Sequence, residues 1–491
     1  MNFKTPEECG ISSRNVEKYI RALEEKMLIT HDVIIAKGDD IIFEKYWEPF
    51  NVSFLHRQYS ITKSVVALAV GFAIDDGLVS LDDPISKYFP EEVKRAKTDL
   101  IKNQTVREML MMSTALLPDN WFKKKCADRV KFYFENSSVD NKRPSGTVFH
   151  YDSEGSFILC AMVERLTGKK FIEYMREKCF DKIGVSKGAT CLTCPGGHSW
   201  GDSALLCTAR DLYLIARFTM NLGKWNGEQL LSEQYLKDAT SPLIPSVRNF
   251  SYGHDIFGYG YYIWQNFDNS FSFNGMGCQY AICVPDKDLI LIYNGDNQGS
   301  DHAKLLIPEL FFEHIVRAEH DISNENEKQS SLNEYTKNLH LSALKGEKSS
   351  PIQDTVSGKV FKLLPNPMEI KWIRLNLAKN SRAYLEYENK TGTKRIYFSM
   401  LKNFFDKFPE EGYSDNIGGQ YAKGNFYNSA TSAAWLNHNT LAIQVLVIDK
   451  YFGRLCIKLS FKDEHTLGVC MTPFAENFFN EYSGYAEGYS E

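Results

Sequence analysis

A serine and a lysine stand three positions apart at the start of a long apolar stretch. Ser60-Ile61-Thr62-Lys63 runs directly into SVVALAVGFAIDDG, which predicts a buried helix. Side chains at i and i+3 share one helix face, so Lys63 can reach the Ser60 oxygen. A serine hydroxyl becomes a good nucleophile when a nearby base takes its proton, and a desolvated lysine can be that base. The pair indicates nucleophilic catalysis, favoured further by the positive end of the helix dipole near Ser60.

Other interpretations compete with this one. Serine is also a favoured helix N-cap residue, and the same S-x-x-K pattern recurs at Ser342 and Ser399 without a long apolar helix behind it. Ser199 lies in a G-x-S-x-G match and is a rival nucleophile. That motif requires a strand before the serine and a helix after it, whereas a Cys/Pro/Gly loop precedes Ser199. Context must decide among these sites.

Composition narrows the class of protein. The chain has 491 residues, of which 43% are hydrophobic, enough for two or three domains with their own cores. Its 57 basic and 62 acidic residues form no basic stripe, which argues against nucleic-acid binding. The N-terminus lacks a signal-peptide pattern, no apolar run is long enough to span a membrane, and the 11 cysteines lack framework spacing. We expect a cytoplasmic protein without a membrane partner; its oligomeric state is left open.

Metal and redox chemistry have one candidate motif. Cys191-Leu192-Thr193-Cys194 lies near His198, but a structural zinc site needs four ligands and no second pair is present. A thioredoxin-type pair would sit near a βαβ pattern, which this loop does not resemble. Neither H-E-x-x-H nor a phosphate-binding loop occurs. We predict no metal and no cofactor.

Hydrophobic periodicity divides the first part of the chain into elements. It predicts a helix over 13–27, a hairpin over 32–44, mainly helices over 60–240, strands over 257–295 and a closing helix over 302–320. The predicted first domain is 1–320. Residues 321–353 are polar with weak periodicity and are interpreted as a linker. Residues 354–491 alternate apolar and polar with period two, which predicts a small antiparallel β domain, a barrel or a sandwich.

Two further segments change the weight of the Ser60 motif. PSGTVFHYDS (144–153) runs into a helical pattern, and FSFNGMGCQYAICVP (271–285) is typical of strands. Together with S-x-x-K and in this order, they resemble the class C β-lactamase-like branch of the penicillin-binding-protein superfamily over residues 6–317. That branch includes esterases, D-amino-acid peptidases and short-oligoamide hydrolases. The resemblance implies an α+β fold: an antiparallel sheet flanked by the terminal helices, with an inserted helical domain and the site at the seam.

The resemblance also implies residue roles. Ser60 would be the acylated nucleophile and Lys63 its partner, while Tyr151, the tyrosine of the family's Y-x-N element, would move protons. The backbone N–H groups of Ser60 and Met276 would form the oxyanion hole. His150 is a rival general base, although adjacent residues on a strand point apart.

Two departures from the family pattern bear on the substrate. Ser153 replaces the asparagine of Y-x-N, and Phe273-Asn274-Gly275 stands where K-T-G or H-x-G is usual. Without that cation a carboxylate beside the scissile bond loses its partner. We therefore expect hydrolysis of a small ester or amide with weak or no β-lactamase activity, and substrate contacts at Ser153 and residues 273–275. The altered elements keep one alternative open, a catalytically inactive ligand-binding or sensor protein. Cys278, where relatives often have glycine, is expected to be a small apolar residue.

Overall fold

The computed structural model describes residues 1–116, 121–122, 126–136, 142–247, 257–377, 382–413, 422–476 and 478–490. The chain forms two compact units, of which the first is Met1–His340 and the second begins at Leu341.

The first unit is built on a central sheet. Its strands are β1 Asn2–Phe3, β2 Thr30–Lys37, β3 Asp40–Tyr46, β4 His56–Arg57, β5 Thr190–Cys191, β6 Leu205–Cys207, β7 Lys224–Trp225, β8 Glu228–Gln229, β9 Trp264–Gln265, β10 Phe271–Gly275, β11 Gln279–Val284 and β12 Leu289–Gly295. Seven of them form the sheet in the order β1-β3-β2-β12-β11-β10-β9, and only the β1–β3 pairing is parallel. Strands β4, β6 and β5 form a small second sheet, and β7 pairs with β8.

The first unit also contains helices, most of them between β3 and β9 along the chain. They are α1 Ser13–Glu25, α2 Ile61–Asp75, α3 Asp99–Asn103, α4 Val106–Leu110, α5 Arg129–Glu135, α6 Ser153–Thr167, α7 Phe171–Met175, α8 Asp181–Ile183, α9 Ala209–Met220, α10 Glu233–Ala239, α11 Asp301–Phe311 and α12 Glu325–Tyr335. Helices α2 to α10 lie between β3 and β9 along the chain. None of the helices in the described ranges is long and apolar enough to cross a membrane.

The central strands read as near-continuous apolar runs because both sheet faces are covered. All of β12 is buried, and so is β2 except its last residue. One face packs into a core with α1 and α11, and the other packs against α9. Alternate residues of each strand therefore enter different cores.

Helix α2 is buried all round. Every residue from Ile61 to Ala73 is buried, because the helix packs against α6 and β10 inside the unit. A helix without a polar face is typical of such a central position. The chain becomes partly exposed at Ser60, just before the first turn, and again at Ile74 and Asp75 at the other end of the helix.

The predicted boundary at residue 320 differs from the structure, in which the first unit continues to His340. Helix α12 lies within the predicted linker and packs on α1: Arg21 covers the Tyr335 ring at 3.7 Å, and the Ser331 hydroxyl donates to Glu17 at 2.7 Å. Leu332 is the only buried residue of α12, so its apolar periodicity is too weak to be recognised in the sequence.

The second unit is a β-barrel. After the short helix α13 Gln353–Val356 come β13 Val360–Leu363, β14 Trp372–Asn376, β15 Ala383–Asn389, β16 Gly392–Met400, β17 Phe404–Lys407, β18 Asn428–Trp435, β19 Thr440–Ile448, β20 Phe452–Phe461, β21 Thr466–Ala475 and β22 Gly484–Tyr489. Their order is β16-β15-β14-β13-β22-β21-β20-β19-β18-β17, and a parallel pairing of β16 with β18 closes the sheet. Of the barrel and the sandwich that the sequence left open, the barrel is the one observed.

Candidate active site

The Ser60 hydroxyl is held by Lys63 and does not cap its helix. Ser60 occupies the N-cap position of α2 with helical backbone angles (φ −67°, ψ −8°), and its side chain makes no capping hydrogen bond. Capping serines normally have extended backbone angles, which aim the oxygen back at the first N–H groups. The Ser60 Oγ instead accepts a hydrogen bond from Lys63 Nζ at 3.0 Å. The oxygen therefore points away from the helix end.

Lys63 is almost fully buried, with 1% of its surface exposed. Besides Ser60, its Nζ donates to the backbone carbonyl of Asp202 at 2.5 Å. Two fixed acceptors leave the amine little freedom to turn away from Ser60. The contact between a hydroxyl and an amine that activation of a serine would require is present.

Tyr151 completes the cluster. Lys63 Nζ lies 5.2 Å from the centroid of the Tyr151 ring, within the usual cation–π range. Tyr151 directly precedes α6, whose N-cap is Asp152: one carboxylate oxygen accepts from Gly155 N at 2.8 Å and the other from the Thr114 hydroxyl at 2.7 Å. The buried cap fixes the chain at the residue next to Tyr151.

An aromatic cluster packs against the Tyr151 ring. Trp264 stacks on Tyr151 with ring centroids 5.7 Å apart and planes 14° apart. Trp264 in turn packs edge-on against Phe149 at 5.8 Å and Tyr259 at 4.7 Å. Sequence reasoning missed Trp264, although the aromatic run FGYGYYIW before β10 was visible.

The end of β10 lies directly against the turn that precedes Ser60. A Cβ atom on Gly275 would lie 2.4 Å from the backbone carbonyl oxygen of Gln58, so glycine is required there. Gly277 and Cys278 both have positive φ (79° and 71°) and turn the chain into β11. Buried Gln279 secures this turn, because its Nε2 donates to the carbonyls of Met276 and Gly295 at 2.7 Å each.

Two backbone donors at this contact have no partner inside the described chain. Neither the Ser60 N–H nor the Met276 N–H donates to any residue that the structure describes. They belong to the two segments that Gly275 brings together. Unused N–H groups on adjacent segments are what an oxyanion hole requires.

The residue before Ser60 has an unusual backbone conformation. Tyr59 has φ +46°, in the left-handed region that few residues other than glycine adopt. It is held there by the Arg57 guanidinium, 4.4 Å from the Tyr59 ring centroid, and by the Thr62 hydroxyl, which donates to the Tyr59 carbonyl at 2.6 Å. Such strained residues often lie at functional sites.

The four residues that were expected to contact the substrate differ in their exposure to solvent. Ser153, Asn274 and Gly275 are partly exposed, and the Ser272 hydroxyl donates to Asn274 Oδ1 at 2.5 Å. Phe273 is fully buried, on the opposite face of β10 from Asn274. Its side chain therefore fills the interior and offers no open surface for a ligand. Desolvation and then the charge of Asp152 raise the pKa of Glu154 well above its usual range.

The rival residues lie in less suitable places. The His150 ring is exposed and contacts the Tyr151 carbonyl through Nδ1 at 3.1 Å. Ser199 is 3% exposed and pairs with Thr193 in a loop bridge, without the strand and helix of a nucleophile elbow. Burial raises the pKa of the Cys278 thiol to about 12, as expected for a small apolar residue.

The loop with Cys191 and Cys194 contains no metal-binding geometry. In the part of the chain that the structure describes, no group of three or more His, Cys, Asp or Glu side chains could hold a metal ion. Both thiols are free, and desolvation raises the pKa of each.

The chain belongs to the Beta-lactamase family, whose profile it matches over residues 17–307. Among curated proteins it is similar to the 6-aminohexanoate-dimer hydrolase of Paenarthrobacter ureafaciens, with 22% identity over 248 residues, which are 48% of this chain and 63% of that protein. It is also 22% identical to an uncharacterized protein of Alkalihalophilus pseudofirmus, over 44% of this chain and 66% of that one. The chain thus spans a little less than two thirds of these relatives.

Solved structures share the fold. One described as "Putative 6-aminohexanoate-dimer hydrolase from Bacillus anthracis" superposes with a TM-score of 0.52 and 16% identity, over 60% of this chain and 80% of that chain. Another, described as "putative beta-lactamase from Bacteroides dorei DSM 17855", gives a TM-score of 0.50 and 18% identity, over 62% and 98%. The predicted β-lactamase/transpeptidase-like class with mixed helices and sheets is confirmed.

Proposed function

We propose that this protein is a serine hydrolase that cleaves an ester or amide bond of a small substrate through an acyl-enzyme on Ser60. The observation that carries the proposal is the hydrogen bond that Lys63 Nζ donates to Ser60 Oγ. The Tyr151 ring lies beside the same amine. Membership of the Beta-lactamase family supports hydrolysis as the class of reaction. The similarity to the 6-aminohexanoate-dimer hydrolase supports an amide as one kind of bond that is cleaved.

In the acylation step the Ser60 oxygen attacks the substrate carbonyl carbon while its proton passes to Lys63 or, through it, to Tyr151. The proton then goes to the leaving alcohol or amine, so that the acyl group remains on Ser60. In deacylation a water molecule attacks the acyl carbon, the same groups remove its proton, and Ser60 is regenerated with release of a carboxylic acid. The oxygen that becomes negative in each step is stabilised by the N–H groups of Ser60 and Met276, each worth about 3 kcal/mol in such a hole.

The proposed substrate range follows from the side chains at the end of β10 and at the start of α6. Asn274 and Ser153 are neutral and partly exposed, and Phe273 is turned inward. Position 273 supplies no cation to bind a substrate carboxylate, which lactam-processing relatives require. We therefore propose short-chain acyl esters or simple amides as substrates, with Asn274, Gly275 and Ser153 as substrate contacts.

A fluorophosphonate probe tests the acyl-enzyme chemistry. Wild-type protein should be labelled on Ser60, and the Ser60→Ala variant should not be labelled. Persistent labelling of Ser60→Ala would transfer the nucleophile to another serine, with Ser199 first to be examined. No labelling of folded wild-type protein would favour the inactive ligand-binding or sensor alternative.

Substrate preference needs a separate comparison. Turnover of p-nitrophenyl butyrate should far exceed that of nitrocefin, and adding a D-amino-acid amide to the series separates ester from amide preference. Equal turnover of nitrocefin and the ester would contradict the argument from position 273.

A further inference from the structure

Asp202 is bound through both its side chain and its backbone. Its carboxylate accepts hydrogen bonds from two indoles, Trp200 Nε1 to Oδ1 at 2.6 Å and Trp121 Nε1 to Oδ2 at 3.4 Å. Its backbone carbonyl accepts from Lys63 Nζ at 2.5 Å. The residue is fully buried. One residue therefore links an aromatic cluster to the amine of the site.

The two indoles are themselves firmly packed. Their ring centroids are 6.0 Å apart, and the Arg129 guanidinium lies 5.2 Å from the centroid of each ring. Phe157 of α6 packs edge-on against both rings at 5.5 Å. Because these contacts leave the indoles little room to rotate, their N–H groups are fixed donors for the carboxylate.

The chain on either side of Asp202 is also held. A Cβ atom on Gly201 would lie 2.2 Å from the Cys160 Cβ, so the backbone is pressed against α6 there. On the other side, Arg57 Nε donates to the Ser203 carbonyl at 2.9 Å. A peptide fixed before, at and after Asp202 directs the Asp202 carbonyl in one direction, towards Lys63.

We propose that Asp202 is a positioning residue of the hydrolytic site. Its indole-bound carboxylate fixes the carbonyl that keeps the Lys63 amine on Ser60. The inference rests on the proposed function, because it concerns the same proton transfer. It goes beyond that function by assigning a role to a residue that does not touch the substrate.

Two substitutions test the two indole hydrogen bonds separately. Trp200→Phe keeps an aromatic ring but removes the shorter indole bond, so the carbonyl loses its anchor. We expect a fall of about ten- to a hundredfold in kcat with KM unchanged, the usual cost of a displacement of about 1 Å in a catalytic group. Asp202→Asn keeps an amide oxygen that can accept from Trp200 and loses the second oxygen, which accepts from Trp121. Because the shorter indole bond is kept, kcat should fall less than in Trp200→Phe, again with KM unchanged.

A matched control is available in the same unit. Trp47 donates its Nε1 to Glu24 at 2.7 Å inside the core of α1 and α11. Trp47→Phe therefore loses an equivalent indole–carboxylate bond, and should lower stability while leaving kcat and KM per folded molecule as in wild type.

The measurements are the labelling rate with the fluorophosphonate probe, kcat and KM for p-nitrophenyl butyrate, and urea unfolding of each variant. Folded Trp200→Phe and Asp202→Asn proteins with wild-type kcat would overturn the inference and leave the proposed function standing. Wild-type protein that is neither labelled nor active would overturn both. If Asp202→Asn fails to fold, the kcat of Trp200→Phe against Trp47→Phe decides the matter.

Discussion

Replacing Gly275 with alanine is expected to separate the two backbone donors of the proposed oxyanion hole. The new Cβ would lie 2.4 Å from the Gln58 carbonyl oxygen, so the two segments must move apart by about 1 Å to reach the ordinary contact distance of 3.4 Å. The Gln58 carbonyl also accepts from Ile61 N at 3.1 Å, in the turn that carries Ser60. The displacement therefore passes directly to the Ser60 N–H.

The size of the effect follows from hydrogen-bond geometry. A donor moved by about 1 Å from an oxyanion at about 2.9 Å no longer makes a hydrogen bond. Loss of one oxyanion donor costs about 10²–10³ in kcat, or roughly 2.7–4 kcal/mol. Because the interaction is strongest in the transition state, kcat should fall much more than KM rises.

The assay combines kcat for p-nitrophenyl butyrate with the rate of fluorophosphonate labelling. Gly188→Ala is the control, because the nearest atom to a Cβ there is a Leu55 methyl group at 3.5 Å, an ordinary contact distance. Urea unfolding shows whether Gly275→Ala remains folded, since overpacking costs about 1–3 kcal/mol. A folded Gly275→Ala protein with wild-type kcat would refute the view that this contact positions the donors.

Three further results are expected. Tyr151→Phe should lower kcat by about 10²–10⁴, the usual contribution of an acid–base group, and wild-type turnover would remove Tyr151 from the mechanism. Trp264→Leu should lower kcat through loss of the stacked ring, with partial recovery in Trp264→Phe; equal labelling rates in both variants would argue against a role for stacking. Burial lowers the pKa of His56 to about 3, so its folded-state imidazole is neutral and wild-type stability falls as pH drops from about 6.5 towards 3. His56→Gln should reduce the slope of the unfolding free energy against pH by about 1.4 kcal/mol per pH unit in this range. Urea unfolding at several pH values measures the slope, and an unchanged slope would contradict the prediction.

Local pattern was sufficient for much of the scaffold. The periodicity over 13–27 predicts α1, and the two apolar runs over 32–44 predict the β2–β3 hairpin; both are confirmed. The contact of Ser60 with Lys63 also follows from local structure, since residues three apart on a helix are neighbours. In each case the information lies within a few residues.

Features that depend on distant partners could not be predicted in this way. Asp202 contacts Lys63 across 139 positions of sequence, and neither its carboxylate nor its loop marks it as part of the site. Trp264 likewise meets Tyr151 only after the strands have assembled. The parallel pairing of β16 with β18 has no sequence signature, because strand direction depends on how the barrel closes.

The three S-x-x-K matches show why secondary structure decides the meaning of a motif. Ser399 lies in β16 and forms a bridge with Lys402 across a tight turn at Leu401, where φ is +60°. Ser342 lies in a segment without helix or strand. Only at Ser60 does a helix place hydroxyl and amine on one face, and only there does the burial of α2 remove the amine from water. The apolar run after the tetrapeptide is therefore the stronger part of the signal, because it creates the helix and the desolvation that the chemistry requires.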